Sequence, residues 1–134
     1  MLEEIDFYTK RMMSFGFETT LSGRSYMKLI RTLKKTGYEV HFFFLWVPTV
    51  ALALSRVRAR VAEGGHGVPE IVIRRRFDRS IHNFLMHYRL LGDAWMLFDN
   101  SAATPAVVAF ERHGNLRIMN KELYNMMTAE YGSL

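Results

Sequence analysis

The 134-residue sequence has no cysteine, three prolines and no apolar run near the ~20 residues that a membrane-spanning helix needs. Without cysteine, disulfides and thiolate chemistry are excluded. The longest apolar stretch, Val40 to Val47, has the length of a buried strand. Residues 1–6 are acidic and lack the basic and apolar segments of a signal peptide, so we expect a cytoplasmic protein.

The glycine-rich motifs that bind phosphates are also missing. A phosphate-binding loop requires Gly-x-x-x-x-Gly-Lys followed by Ser or Thr, and no glycine in this sequence precedes a lysine. No Gly-x-Gly-x-x-Gly fingerprint and no Gly-x-Ser-x-Gly elbow occurs either. His82 and His87 lie five residues apart, the wrong spacing for a shared zinc ion on one helix, and we predict no metal site. His66, in a predicted loop, is the one histidine worth testing, whereas His41 is expected to be a buried, hydrogen-bonded core residue.

Apolar residues make up 49% of the chain, enough for the core of a single domain spanning residues 1–134. The net charge is +5, arginine supplies most of the 18 basic residues, and seven arginines cluster between Arg56 and Arg79. Such a patch could bind nucleic acid, nucleotide phosphates or another anion, or it could be a solvated helix face. The aromatic residues lie in apolar strands and stripes rather than between the arginines, which disfavours nucleic acid.

The hydrophobic pattern predicts alternating strands and helices. The predicted strands cover residues 15–20, 40–47, 94–98, 106–110 and 116–119, and the predicted helices cover 1–13, 24–36, 50–63, 70–91 and 121–131. We expect Thr49 and Asn120 to cap the helices that follow them. Because residues 40–47 are apolar on both faces, we predict that they form a central strand covered on both sides. The alternation predicts an α/β fold with a mostly parallel, doubly wound sheet. Ligands would then bind beyond the carboxyl ends of its strands.

Three polar segments follow predicted strands or flank predicted helices. Residues 18–24 carry a carboxylate, three hydroxyls and a guanidinium, which could bind substrate hydroxyls or an anion, or could simply cap a helix. The arginines on either side of the glycine-rich loop 64–69 could form a lid over a polyphosphate, or a solvated basic face with pairs such as Arg74–Asp78. Residues 99–101 could face a nucleotide or a metal ion, or form a plain turn.

The order of these segments resembles that of zeta-toxin-like P-loop kinases. The resemblance is carried by Phe17-Glu18-Thr19-Thr20-Leu21-Ser22-Gly23-Arg24, by the strand after Gly37, by the arginines and glycines from Arg56 to Phe77, and by Leu97-Phe98-Asp99-Asn100-Ser101. It covers about residues 1–101. It implies a P-loop kinase fold that is incomplete at the N-terminus, since the phosphate-binding loop and catalytic aspartate of the family would precede residue 1.

The resemblance also implies an activity and a set of site residues. Zeta toxins are ATP- or GTP-dependent kinases that act with Mg²⁺ on a nucleotide sugar and are restrained by an antitoxin. Matched residue by residue, Glu18, Thr20 and Arg24 would bind the substrate, and Arg60, Arg74 and Arg76, in or beside a lid at residues 64–76, would contact phosphates. Ser22 stands where the family has a substrate-binding arginine.

Two functions therefore remain open from the sequence. The chain could be a truncated or degenerate kinase domain, inactive alone because positioning and electrostatics supply nearly all of the catalysis in phosphoryl transfer. Alternatively, it could be a non-catalytic module that oligomerises or binds an antitoxin-like protein.

Overall fold

The computed structural model describes residues 1–132. Its helices are α1 (Leu2–Lys10), α2 (Tyr26–Lys35), α3 (Val50–Ala62), α4 (Glu70–Asn83), α5 (Arg89–Leu91) and α6 (Lys121–Tyr131), with a π-helical segment, Phe84–Tyr88, joining α4 to α5. Its strands are β1 (His41–Trp46), β2 (Ala94–Asp99), β3 (Ala106–Arg112) and β4 (Asn115–Ile118).

The strands form a single sheet in the order β1-β2-β3-β4, which is also their order along the chain. β1 pairs with β2 in parallel, whereas β2 pairs with β3, and β3 with β4, in antiparallel. The prediction of a mostly parallel, doubly wound sheet of P-loop kinase type is therefore wrong. The sheet is small and mixed, with one parallel pair.

Connection lengths explain this difference. Two parallel neighbours need a crossover of at least a dozen residues, which α3 and α4 supply between β1 and β2. Only residues 100–105 separate β2 from β3, so these two strands must be antiparallel. His113 and Gly114 join β3 to β4 with φ angles of 50° and 80°, as a tight hairpin turn requires.

The helices α2, α4 and α6 lie against one face of the sheet. Phe44 stacks on Phe84 with ring centroids 4.8 Å apart, and Phe42 meets the edge of Tyr88. Tyr124 and Met127 of α6 complete the same core beside Val108 and Ala109. The π-helical segment serves this core, because Phe84, Leu85 and Tyr88 are all buried.

Several local predictions are confirmed and others are wrong. Thr49 caps α3 by accepting a hydrogen bond from the Leu52 amide, and Asn120 caps α6 in the same way from Leu123. Residues 15–20, predicted as a strand, form none. Residues 41–46, predicted as a central strand, are the edge strand β1.

Candidate functional site

The segment Glu18–Arg24 is a surface loop fixed at two points to the helix layer. Leu21 is buried and adopts a left-handed φ of 54°, which is unusual for a leucine. The Asn83 side-chain amide donates a hydrogen bond of 2.8 Å to the Leu21 carbonyl oxygen. The Tyr88 hydroxyl donates one of 2.7 Å to the Gly23 carbonyl oxygen. The loop therefore has a defined conformation although it contains no strand.

The predicted substrate residues project from this loop into solvent. Glu18, Thr20 and Arg24 are all exposed. Thr20 shares a 2.8 Å hydrogen bond with the Ser22 hydroxyl, so its polar group is held within the loop. Helix capping was one alternative for this segment, but α2 begins at Tyr26, its N-cap residue is Ser25, and no side chain caps it by a hydrogen bond.

The predicted lid is a hairpin of two helices, α3 and α4, joined by residues 63–69. The carboxylate of Glu70, the first residue of α4, accepts a hydrogen bond from Arg58 of α3 at 3.2 Å and one from Arg74 of α4 at 2.8 Å. The hydrogen bond from Arg74, reinforced by the charges of Arg74 and Arg58, lowers the pKa of Glu70. Arg74 thus pairs with Glu70 and not with Asp78. This pair lies within α4, and it is Arg58 that links α3 to α4 through the same carboxylate.

Arg60 and Arg76 are exposed and form no ion pair within residues 1–132. Arg76 precedes Asn83 by seven residues on α4, so both lie on one helix face about 10 Å apart. Since Asn83 contacts the Leu21 loop, Arg76 is the lid arginine on the same side of the helix as the predicted substrate residues. Within residues 1–132 no hydrogen bond between side chains and no ion pair joins Arg76 to those predicted substrate residues.

A histidine pair lies behind the loop. The rings of His82 and His87 meet edge to face at 6.2 Å, and His82 Nδ1 lies 2.9 Å from the Tyr131 carbonyl oxygen. His87 Nε2 is buried without a hydrogen-bond partner. Burial lowers the pKa of His87, and the charges of Arg24 and His82 lower it further. His87 is therefore kept neutral, which suits a packing role.

The carboxyl ends of β1 and β2 lie side by side, as the parallel pair requires. The Asn100 amide donates to the Trp46 carbonyl oxygen at 2.7 Å, and the Ser101 amide donates to Asp99 Oδ1 at 3.0 Å. Arg56 adds a hydrogen bond of 3.2 Å to the Ser101 carbonyl oxygen. Residues 99–101 therefore form a self-contained turn held by α3.

Trp46 brings an unexpected polar group to this end of the sheet. The side chain is buried, and its Nε1 donor has no partner within the described residues. Nothing in the spacing of the sequence signals this orphaned donor.

The most extensive feature of the molecule is the sheet face opposite the helices, here called the open face. Residues directly opposite each other on paired strands share a face, so the register defines rows across the sheet. One row contains Phe43, Met96, Phe110 and Arg117, and the next contains Leu45, Phe98 and Val107. The row at the opposite end contains His41, Ala94, Arg112 and Asn115.

The open face is apolar, and its apolar residues on β2 and β3 are half-buried whereas those on β1 are exposed. Phe43 is 66% exposed and Leu45 is 56% exposed, although both belong to a strand that was expected to be covered on both sides. His41, expected in the core, is exposed on this face and pairs with Glu39 at 2.7 Å. The periodicity predicted two apolar faces correctly, but α2, α4 and α6 cover one of them.

The two edges of the sheet differ in protection. β1 has six residues with no proline, lysine or bulge, whereas β4 has four residues and carries Arg117. Unprotected apolar edges are sites where another chain can add a strand. The open face and the β1 edge are continuous, since Phe43 and Leu45 belong to both.

The part of the chain described by the structure contains no cluster of three metal-ligating side chains. No helix among residues 1–132 is long and apolar enough to cross a membrane.

Comparison with known proteins adds one relative of unknown activity. The chain is 35% identical over 71 residues to an uncharacterized protein of Haemophilus influenzae. The aligned region covers 53% of this chain and 51% of that protein. The chain thus spans about half the length of the curated relative it matches. No family model and no solved structure matches the chain. None of these comparisons links the chain to zeta toxins.

Proposed function

We propose that this chain is a non-catalytic protein-interaction domain of the cytoplasm that binds another protein chain through the open face. The observation that carries the proposal is the exposure of Phe43 and Leu45 on a sheet face that is apolar across three strands. Soluble proteins rarely leave contiguous apolar patches of several hundred Å² exposed unless they bind something there. A sheet that is apolar on both faces ordinarily has a layer packed on each of them.

The arrangement of polar residues also favours binding over catalysis. Arg74 is engaged by Glu70, Thr20 by Ser22, and residues 99–101 by their own turn. Each of these contacts stabilises the fold locally. Glu70 borders the mostly apolar groove between α3 and α4, but its carboxylate is already hydrogen-bonded to Arg58 and Arg74.

Site-specific photocrosslinking tests this function without assuming the partner. Benzoylphenylalanine would replace Phe43 or Phe110 on the open face, and Ile71 on α4 as a control, since Ile71 is exposed away from the sheet. After irradiation in cells of the natural host, we expect positions 43 and 110 to give the same discrete adduct, identified by mass spectrometry, and position 71 to give none. Absence of an adduct from both face positions, or an equal yield from position 71, would overturn the proposal.

As a second candidate, we propose that the chain binds a nucleotide phosphate beside the Leu21 loop. The position of Arg76 on the same face of α4 as Asn83 supports this candidate, because Asn83 contacts the loop that carries the predicted substrate residues and Arg76 forms no ion pair within residues 1–132. Arg60 and Arg74 would add positive charge. The arginines suit ATP or GTP phosphates, but no carboxylate cluster for Mg²⁺ is assembled in residues 1–132, and phosphoryl transfer would need a phosphate-binding loop from elsewhere.

A thermal-shift measurement separates the two candidates. A nucleotide that binds the native state at a hundredfold excess over its dissociation constant stabilises it by ~2.7 kcal/mol. Under the second candidate, ATP with Mg²⁺ raises the melting temperature, and Arg76→Ala abolishes the shift. Arg75→Ala is the matched control, since Arg75 is equally exposed but lies on a different side of α4. No shift at millimolar nucleotide would exclude this candidate.

A further inference from the structure

Basic residues lie at one end of the open face, next to its apolar rows. Arg112 and His41 lie in the row next to Phe43, Met96 and Phe110, and Arg117 lies within that second row. We call His41, Arg112 and Arg117 the basic corner. Among strand residues on this face none is acidic. Two carboxylates lie nearby: Glu39 is hydrogen-bonded to His41 at 2.7 Å, and Asp93 is engaged by the Val40 amide and Lys34.

From this geometry we propose that the open face binds an amphipathic α-helix of a partner protein that carries acidic residues on one flank of its apolar stripe. The inference rests on the function proposed above and names the chemistry of the partner. The apolar stripe would pack on Phe43, Met96 and Phe110. The acidic flank would meet Arg112 and Arg117.

The dimensions of the open face suit one helix. Four strands about 4.8 Å apart and six residues rising about 3.3 Å each define an area of roughly 20 by 20 Å. A helix rises 1.5 Å per residue and is about 10 Å wide, so about 13 residues cover the length of the face and most of its apolar width. Helices are also the elements that cover the faces of sheets containing parallel crossovers.

A second copy of this chain fits the face less well. The face offers only about 400 Å² per copy, roughly half of the ~800 Å² that each partner contributes to a standard interface. Each copy carries a net charge of +5, so stacking two copies brings like charges together. An acidic helix gains attraction from the same charge.

Binding of two designed peptides to the full chain tests the inference. Both are 16-residue helical peptides with the same leucine stripe, and their flanks carry either glutamate or lysine. We expect the glutamate peptide to bind at least tenfold more tightly by fluorescence anisotropy. The difference should shrink at high salt, because exposed charges are screened.

Charge reversal and apolar truncation provide separate checks on the two parts of the site. Arg112→Glu with Arg117→Glu should reverse the preference between the two peptides. Phe43→Gln with Leu45→Gln should weaken both peptides at least tenfold. Ile71→Gln with Leu90→Gln is the matched control, because these exposed apolar residues lie on helices and should leave binding unchanged. All these positions are exposed, and circular dichroism would confirm that the variants fold.

Equal affinity for the two peptides, or no reversal by the arginine variants, would overturn the inference. The photocrosslinking experiment tests the proposed interaction function independently of these peptides. The crosslinked partner could be one that the glutamate peptide does not displace, such as a second copy of this chain. That result would support the proposed interaction function and exclude an acidic helix as the partner. If neither position 43 nor position 110 gave an adduct, both the proposed interaction function and the inference of an acidic helix would be excluded.

Discussion

At the scale of single residues, buried polar groups decide how the Leu21 loop is held. Asn83 is 5% exposed, and its amide is the hydrogen-bond donor to the Leu21 carbonyl oxygen. Tyr88 supplies the second anchor at Gly23. Leu21, with its left-handed φ, depends on both contacts to keep an otherwise unfavourable conformation.

We expect Asn83→Ala to destabilise the protein by about 1–3 kcal/mol, because a buried carbonyl loses its partner. Urea unfolding followed by circular dichroism measures this loss. Asn125→Ala is the matched control, since Asn125 lies exposed on α6 and should change stability by less than ~0.5 kcal/mol. Equal stabilities of the two variants would show that the anchor contributes nothing.

His87 should make stability depend on pH. Its folded-state pKa is depressed below the ordinary 6.5, chiefly by burial, so the unfolded chain binds the proton more readily. This contribution is fully present above pH 6.5 and is lost as the pH falls through the folded-state pKa. We expect the free energy of unfolding to fall between pH 7.5 and 5 in the native sequence, and less steeply in His87→Phe.

Urea unfolding at several pH values measures this effect, and His66→Gln provides the control because His66 is exposed in the loop between α3 and α4. A pH profile that His87→Phe leaves unchanged would contradict the assignment.

At the scale of elements, the junction between α5 and β2 fixes β1 against the helix layer. The Asp93 amide donates to the Val40 carbonyl oxygen at 2.8 Å, and the Val40 amide donates to Asp93 Oδ2 at 2.8 Å. That hydrogen bond, with the charge of Lys34, lowers the pKa of Asp93 despite the opposing effect of burial. Gly92 lies directly beneath the Phe42 ring.

Gly92→Ala should destabilise the protein by about 1–3 kcal/mol, the usual range for overpacking. A Cβ atom at this position would lie 2.7 Å from Phe42 Cδ2 and 3.1 Å from the Val40 carbonyl oxygen, so β1 would have to shift. Thermal unfolding compares this variant with Gly16→Ala, where an added Cβ meets nothing within 4 Å. A melting temperature equal to that of the Gly16 variant would show that the junction is more adaptable than its geometry indicates.

At the scale of the whole molecule, α2, α4 and α6 pack on one side of the sheet, and Phe43 and Leu45 on the other side are exposed. The crossover through α3 and α4 returns to the face where Phe84 meets Phe44, and α6 packs on that same face. The arginines of the hairpin lie outside this core and face solvent. Binding through the open face therefore does not require the arginines to move.

We expect the purified chain to release no phosphate from ATP or GTP with Mg²⁺ above the buffer background. Phosphoryl transfer relies on groups that position the phosphates and the metal ion, and the sequence contains no phosphate-binding loop. A radiolabelled phosphate-release assay measures the rate. Turnover that scales with protein concentration and disappears in Arg76→Ala would contradict this expectation.

The sequence by itself determined most of the elements. Their periodicity located α1, α2, α3, α4, α6 and all four strands to within a few residues, and the capping roles of Thr49 and Asn120 followed from residue type. The short link between β2 and β3 also indicates antiparallel pairing of these two strands, because six residues cannot form the crossover that parallel pairing requires.

Only the tertiary structure decided which surfaces are covered. Apolar periodicity shows that Phe43 and Leu45 share a face, but the number of helices packed on that face depends on contacts between residues far apart in the chain. For the same reason the sequence could not reveal that Glu70 engages Arg74 and Arg58, or that Asn83 anchors Leu21 across 62 residues. Local pattern fixes an element and its faces, whereas the partner of each face is set by how the whole chain packs.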